Sequence, residues 1–121
     1  MALALYGAVT EVISLLAPWY LRRRARRGKE DEGRLGERLG RASMPRPGAA
    51  LIWLHAASVG ESLSLLPVLD RLRVRLPEVT ILVTTGTVTS ARLMASRLPD
   101  RVIHQFVPID TRGAVRRFLD H

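Results

Sequence analysis

Along the chain the hydrophobic pattern changes rhythm twice. Residues Met1 to Leu21 are apolar almost throughout, interrupted mainly by Glu11 and Pro18. A helix over this run spans roughly 30 Å at 1.5 Å rise per residue, about one hydrocarbon core. Residues 22–48 turn polar and rich in Arg and Gly, and Pro45 and Pro47 close them off. From Ala49 short apolar runs alternate with helix-like stretches. Strands are expected over Leu51–Ala57, Val79–Thr85 and Val102–Val107, and helices over Glu61–Leu76, Val88–Leu98 and Thr111–Leu119. Alternating strands and helices predict an α/β fold with a parallel sheet and right-handed crossovers. The first two strands are nearly continuous in apolar character, as strands covered on both faces are. Three βα units wound in one direction leave the first strand at an edge, an aggregation liability. The sequence is therefore expected to be the front part of a longer protein, or to have that edge covered by something else.

Charge sharpens the picture of the first stretch. The formal net charge is +8, and every basic residue except Lys29 is arginine. Arg22, Arg23, Arg24, Arg26, Arg27 and Lys29 follow the apolar run, and no basic residue precedes it. A secretory signal has the reverse order. The positive-inside rule puts the arginines and everything after them in the cytoplasm. One reading is a membrane anchor, spanning or lying in the interface with arginine on lipid phosphates. The other is an amphipathic helix packed on a soluble domain. Within the connector, Arg34-Leu35-Gly36-Glu37-Arg38-Leu39-Gly40-Arg41 predicts a short helix with a glycine stop and, as a charge run, a solvated face. With 121 residues the chain holds one domain at most. The absence of cysteine excludes disulfides and thiolate metal sites. Aromatics at 5% argue against binding single-stranded nucleic acid by stacking.

Candidate chemistry gathers in the loops after the three strands, at the sheet edge where ligands bind in open α/β folds. The first loop, Ala57-Ser58-Val59-Gly60-Glu61, puts a carboxylate in the first turn of a helix, with the helix dipole behind it. Glu61 is a candidate general base. Equally, Ser58 and Glu61 have capping-box spacing, with Ser58 as N-cap and Glu61 reaching back to it. The glycine at position 60 fits a tight turn and the close approach of a ligand. In the second loop, Thr84-Thr85-Gly86-Thr87-Val88-Thr89-Ser90, hydroxyls cluster at a helix start and suit an anion or a cap. It lacks the lysine of a phosphate-binding Walker loop, and no G-x-G-x-x-G occurs in the chain. Asp110, in the third loop, is expected to cap the last helix. His55 is expected to be hydrogen-bonded scaffold. His55, His104 and His121 show no metal-ligand spacing. Arg71, Arg73 and Arg75 read as a solvated helix end.

Taken in order, these features resemble the amino-terminal half of the 3-deoxy-D-manno-octulosonic acid (Kdo) transferases of Gram-negative bacteria. The matching pieces are the apolar run, Gly36-Glu37-Arg38-Leu39-Gly40, Trp53-Leu54-His55-Ala56-Ala57-Ser58-Val59-Gly60-Glu61, Thr84-Thr85-Gly86-Thr87-Val88-Thr89 and Val107-Pro108-Ile109-Asp110. The His-x-x-Ser-Val-Gly-Glu piece is the most specific. The threonine loop departs from the family in carrying Val88 and Ser90, where Pro and Gly are common. The resemblance implies a membrane-associated glycosyltransferase of two Rossmann-like domains, the GT-B architecture. Residues 1–21 would be the membrane anchor, 22–48 a basic connector, and 49–121 part of the acceptor domain. It further implies transfer of Kdo from CMP-Kdo to a lipid A precursor at the cytoplasmic face of the bacterial inner membrane. Neither a cofactor nor a metal is implied. Glu61 would be the base on the acceptor hydroxyl. His55, Ser58 and Gly60 would shape its loop, and Thr85, Thr87 and Thr89 would line the acceptor side. Anionic lipid is an expected partner and nucleic acid is not. The donor domain is expected beyond His121, which would leave these residues inactive alone. Two alternatives are a GT-B enzyme with another donor or acceptor, and a non-enzymatic basic module that binds membrane surfaces.

Overall fold

Three parallel strands, β1 (Leu51–Ala56), β2 (Thr80–Thr85) and β3 (Val102–Phe106), form one sheet in the order β1-β2-β3. The first strand lies at an edge, as the winding requires. The computed structural model describes residues 1–121. Its chain clusters into two units, Pro45–Phe106 and a second that joins Met1–Met44 with Val107–His121.

In the sheet unit, helices α3 (Val59–Arg75) and α4 (Val88–Ala95) cover the same sheet face. The strand register puts Leu54, Val83 and His104 side by side, with Ile52, Ile81 and Val102 in the next row. Leu69 of α3 and Met94 of α4 are fully buried against Ile81 and Val83. Each such side chain contributes about 1.5–3 kcal/mol through removal from water. On the opposite face β2 is covered, but β1 is not: Trp53 is 47% exposed and His55 is exposed. Two-sided cover, expected for both strands from their apolar runs, therefore holds only for the central one. An edge strand has a neighbour on one side only, and its continuous apolar sequence does not reveal that.

Element ends shift for local reasons. Helix α3 begins two residues before the expected Glu61 because Ser58 caps it, and it runs through Pro67. Helix α4 gives way at Ser96 to a last turn in which Leu98 N–H reaches the Met94 carbonyl, ahead of Pro99. Arg73 is not part of a solvated face. Its guanidinium donates to the carbonyls of Val79, at 2.8 Å, and Pro77, at 3.2 Å, bracing the turn into β2.

The second unit is built on α1 (Ala2–Arg26), which continues through Pro18. After Gly28, at a left-handed φ of 71°, the chain passes a 3₁₀ turn (Glu32–Arg34) into the short α2 (Leu35–Arg38). The charge run from Arg34 to Arg41, expected to be solvated, is mostly half-buried, with Glu37 buried, and it meets the buried Glu30 just ahead of it. Glu30 is 6% exposed and pairs with Arg24 at 3.0 Å and Arg38 at 3.3 Å. Glu37 is 2% exposed and pairs with Arg34 at 2.9 Å. Burial holds the Arg38 guanidinium below the usual arginine range, with the Glu30 charge opposing that shift. Arg38 also donates to the Val107 carbonyl, and its own carbonyl accepts the Ile109 N–H at 2.8 Å. Arg117 of α5 (Arg112–Asp120) donates to the Leu39 carbonyl at 2.9 Å. The Gly36–Gly40 segment thus clamps the returning chain from Val107 to α5. Thr111, not Asp110, caps α5; its side chain accepts from Ala114 N–H. Asp110 instead accepts from the Tyr6 hydroxyl at 2.8 Å. Both residue types cap helices well, and the sequence offered no basis for choosing the later one.

The glycine at position 40 is required twice over. Its φ is 80°, and an added Cβ would lie 2.0 Å from the Ala114 carbonyl oxygen. Gly40→Ala is expected to destabilise the protein by roughly 2–4 kcal/mol, from left-handed backbone strain plus overpacking. Chemical denaturation of the two forms measures this, and a difference under about 1 kcal/mol would contradict the clamp.

Candidate active site at the carboxyl ends of strands β1 and β2

Ala56 and Thr85 are register partners at the carboxyl ends of β1 and β2. Parallel pairing therefore brings the Ala57–Glu61 and Thr84–Ser90 loops out side by side at one edge of the sheet. Ser58 has extended backbone, with φ −130° and ψ 168°, and its hydroxyl accepts the Glu61 N–H at 3.2 Å. That is half of the expected capping box. The other half is displaced by one residue: Glu61 Oε2 accepts from Ala57 N–H at 2.6 Å rather than from Ser58. The carboxylate thereby reaches back across the junction to the end of β1, while the residue's own N–H is held by Ser58. It stays exposed, as do Ser58 and Gly60. One oxygen is held by the backbone, which leaves Oε1 outside that bond.

Gly60 has no unusual backbone conformation. It is the second residue of α3, and the nearest atom to an added Cβ would be the Ser58 hydroxyl at 3.9 Å. The expected tight turn is not what calls for glycine here. What glycine leaves is open space beside Glu61.

His55 is tied into the sheet, as expected of a scaffold histidine. Its Nδ1 lies 3.1 Å from the Thr84 carbonyl oxygen and 2.9 Å from the Thr84 hydroxyl. That hydroxyl also accepts from Trp53 Nε1 at 2.9 Å. Trp53 and His55, two apart on β1, share a face, and Thr84 is the register partner of His55. Thr84 is fully buried. This Trp53–Thr84–His55 network fixes the imidazole orientation and leaves Nε2 outside it. Alternation along β1 placed Trp53 with His55 in the sequence, but Thr84 could join them only once the register was known.

The threonines do not play one role. Thr85 is fully buried, and its hydroxyl lies 2.8 Å from His104 Nε2, while the His104 ring meets Phe106 edge-on. Thr87 caps α4: its oxygen accepts the Ser90 N–H at 3.1 Å and its hydroxyl donates to Ser90 Oγ at 2.8 Å. The departure at Ser90 is therefore absorbed as a buried partner of the cap. Thr87 and Thr89 are exposed. Of the three candidates, Thr87 and Thr89 can meet a ligand directly, whereas Thr85 supports the loop from within.

A three-stranded parallel sheet flanked by helices, with an apolar helix ahead of it in the sequence, is an α/β arrangement consistent with the amino-terminal domain of a glycosyltransferase. A family model described as 3-deoxy-D-manno-octulosonic-acid transferase (kdotransferase) matches residues 33–121. The chain belongs to this family. It is 42% identical over 117 residues to the probable mitochondrial 3-deoxy-D-manno-octulosonic acid transferase of Arabidopsis thaliana, covering 97% of this chain and 26% of that protein. The 3-deoxy-D-manno-octulosonic acid transferase of Rickettsia bellii is 40% identical over 94 residues, 78% of this chain and 22% of its own length. That of Haemophilus influenzae is 36% identical over 90 residues, 72% and 21% respectively. The chain thus spans about a quarter of the length of these curated relatives. No solved structure matches it significantly.

The two halves of the cap separate in stability measurements. Ser58→Ala removes the acceptor for Glu61 N–H and is expected to cost about 1 kcal/mol. Glu61→Gln keeps an oxygen for Ala57 N–H and is expected to cost less than that. Thermal unfolding of both variants checks the order; a larger loss from Glu61→Gln would mean that the loop depends on the negative charge.

Proposed function

We propose that this chain is the acceptor-side half of a GT-B transferase that moves Kdo from CMP-Kdo to a hydroxyl of a lipid A precursor. The observation that carries this reading is Glu61: an exposed carboxylate, anchored through Oε2 to Ala57 N–H, at the sheet edge where ligands bind. A sugar hydroxyl is a weak nucleophile until its proton is removed. In the proposed step the acceptor oxygen bonds to Kdo as its proton passes to Glu61, and CMP leaves with the electron pair of the broken bond. The nucleotide already activates the donor, so positioning and proton removal are what the protein adds.

His55 and Ser58 hold the loop through the bonds described above. Gly60 leaves room for the acceptor to approach, Thr87 and Thr89 offer hydroxyls to it, and Thr85 keeps their loop in place. CMP-Kdo would be held mainly by a donor domain of the kind that makes up the rest of the relatives' length. The apolar α1 and the arginines after it would keep the site at the cytoplasmic face of the bacterial inner membrane, where a lipid acceptor is found. Family membership and the Ser58–Glu61 loop both favour this reading over a non-enzymatic basic module, which would have no use for that loop.

The test is Kdo transfer from CMP-Kdo to a lipid A precursor by this segment joined to a donor domain of the same family. Glu61→Gln is expected to lower kcat by at least about 10²-fold, the contribution of a positioned base, with stability retained. Residues 1–121 alone are expected to show no transfer. Full activity in the glutamine variant would leave Glu61 a helix cap only.

A further inference from the structure

Helix α1 is the one helix in the chain long and apolar enough to cross a membrane. Its packing is inverted relative to a soluble core helix. The buried or half-buried stripe runs through Gly7, Thr10, Ser14, Ala17 and Leu21, mostly small or polar residues at helical spacing. The large side chains point outward: Leu5 is 69% exposed, Val12 60%, Leu16 58% and Trp19 60%. An amphipathic helix on a water-facing surface buries its large apolar side chains, not its small ones.

What covers the small stripe decides how the helix can lie. Helix α1 packs on α5 and α2 of its own unit. Near its amino end, the Tyr6 hydroxyl is bonded to Asp110 at 2.8 Å. Further along, Ile13, Leu16, Ala17, Trp19 and Tyr20 line an open cavity of about 390 Å³ together with Ile109, Asp110 and Thr111, with Leu16 and Trp19 still more than half exposed. Tyr6 and Tyr20 are separated by roughly 20 Å of helix. Over that length α1 is bound to irregular backbone at 109–111 and to a helix bearing Arg112, Arg116, Arg117 and Asp120. Were α1 to stand across a bilayer, this loop, Asp110 and part of α5 would enter the hydrocarbon beside it. Irregular backbone and charged side chains at a lipid-exposed depth are strongly disfavoured.

We propose that α1 lies in the plane of an anionic bilayer surface, its Leu5, Val12, Leu16 and Trp19 face immersed and its Gly7-to-Leu21 stripe held on α5 above. The proposal rests on the membrane part of the reading given above and specifies its geometry. Charge identifies the occupant of this face. Arg22, Arg23, Arg26 and Arg27 are exposed on the turns that follow the apolar face, suited to lipid phosphates. Trp19 and Tyr20 stand at the junction, each with a guanidinium over its ring, Arg23 at 5.7 Å and Arg24 at 5.8 Å. Aromatic rings beside cations are the side chains that settle at the headgroup level. A second copy of the chain would bring these arginines against one another, which favours lipid over self-association. An interfacial helix immersed by roughly 5–10 Å would carry its cargo at the surface without threading any of it through the bilayer.

The chain has no cysteine, so single fluorophores can be placed by Leu5→Cys, Val12→Cys and Leu16→Cys. Each labelled chain is bound to vesicles of phosphatidylcholine and phosphatidylglycerol containing quenchers at graded depths. All three labels are expected at one shallow depth in the outer leaflet. A label at Val12 near the bilayer centre with Leu5 reaching the inner leaflet would overturn the in-plane geometry and leave membrane attachment standing. No vesicle binding, with self-association in sedimentation instead, would overturn both the proposal and the membrane reading beneath it. The double variant Leu5→Asp with Val12→Asp touches only the exposed face, away from the 109–111 cavity, so its circular dichroism melt should be unchanged. Its vesicle affinity should fall at least roughly tenfold; unchanged affinity would overturn the proposal. Neither experiment depends on Kdo transfer, so the transferase reading stands or falls separately.

Discussion

The carboxylate of Glu30, held between Arg24 and Arg38, is the interaction on which the helical unit turns. A chain with 19 basic and 11 acidic residues cannot bury arginine without reserving acids for it. Removing one partner from a buried pair costs about 3–5 kcal/mol, because an uncompensated charge remains. Glu30 joins the end of α1 to α2, and Arg38 carries the connection onward to the Val107 carbonyl. Residues far apart in sequence, near positions 24, 38 and 107, are thereby fixed relative to one another. The left-handed glycine at 40 then lets α2 end against Ala114. The Gly36–Gly40 motif is thus an anchoring device for the returning chain rather than a surface helix.

Much of the sheet was legible because its determinants are local. Mostly apolar runs of six or seven residues bounded by turn residues located all three strands to within a residue or so. The order β1-β2-β3 followed from βα alternation alone. What escaped was set by distant partners. Glu37 and Arg38 read as solvated because a charge run carries no mark of the arginines, glutamates and carbonyls that will meet it. Exposure of Trp53 depended on β1 being an edge strand, which its sequence does not record. The Asp110 cap failed because Thr111, one residue on, has equal local merit, and a tertiary bond to Tyr6 occupied Asp110.

At the candidate site the sequence located the loop but not its wiring. Ser58 and Glu61 had the spacing of a reciprocal cap, and the serine half formed as expected. The glutamate chose the Ala57 N–H, one residue earlier. That choice bears on chemistry: the carboxylate bonds to the backbone that leaves β1, so its position is tied to the end of that strand as well as to the start of α3. A carboxylate anchored in this way needs no rearrangement to stay in place, which is what the proposed proton transfer would require. The threonine loop divides similarly by depth. Hydroxyls facing inward, at Thr84 and Thr85, hold His55 and His104; those facing outward, at Thr87 and Thr89, remain at the surface.

Arginine, which dominates the basic residues, is put to two opposed uses along one helix and its sequel. Arg24 and Arg38 are paired with Glu30 and give the unit its internal order, while Arg22, Arg23, Arg26 and Arg27 keep their charge at the surface. Only side-chain direction separates the two sets, since they interleave in sequence. The direction is fixed by the same small-residue stripe, Gly7 to Leu21, that seats α1 on its own unit. A stripe of large side chains would have held α1 farther from α5 and rotated the outer face inward. Small residues allow close approach, and close approach commits the apolar face and the exposed arginines to the outside together. An apolar face and a row of exposed arginines on one helix are the two signals that the proposed attachment to a lipid surface needs. Here both follow from the packing of the opposite side.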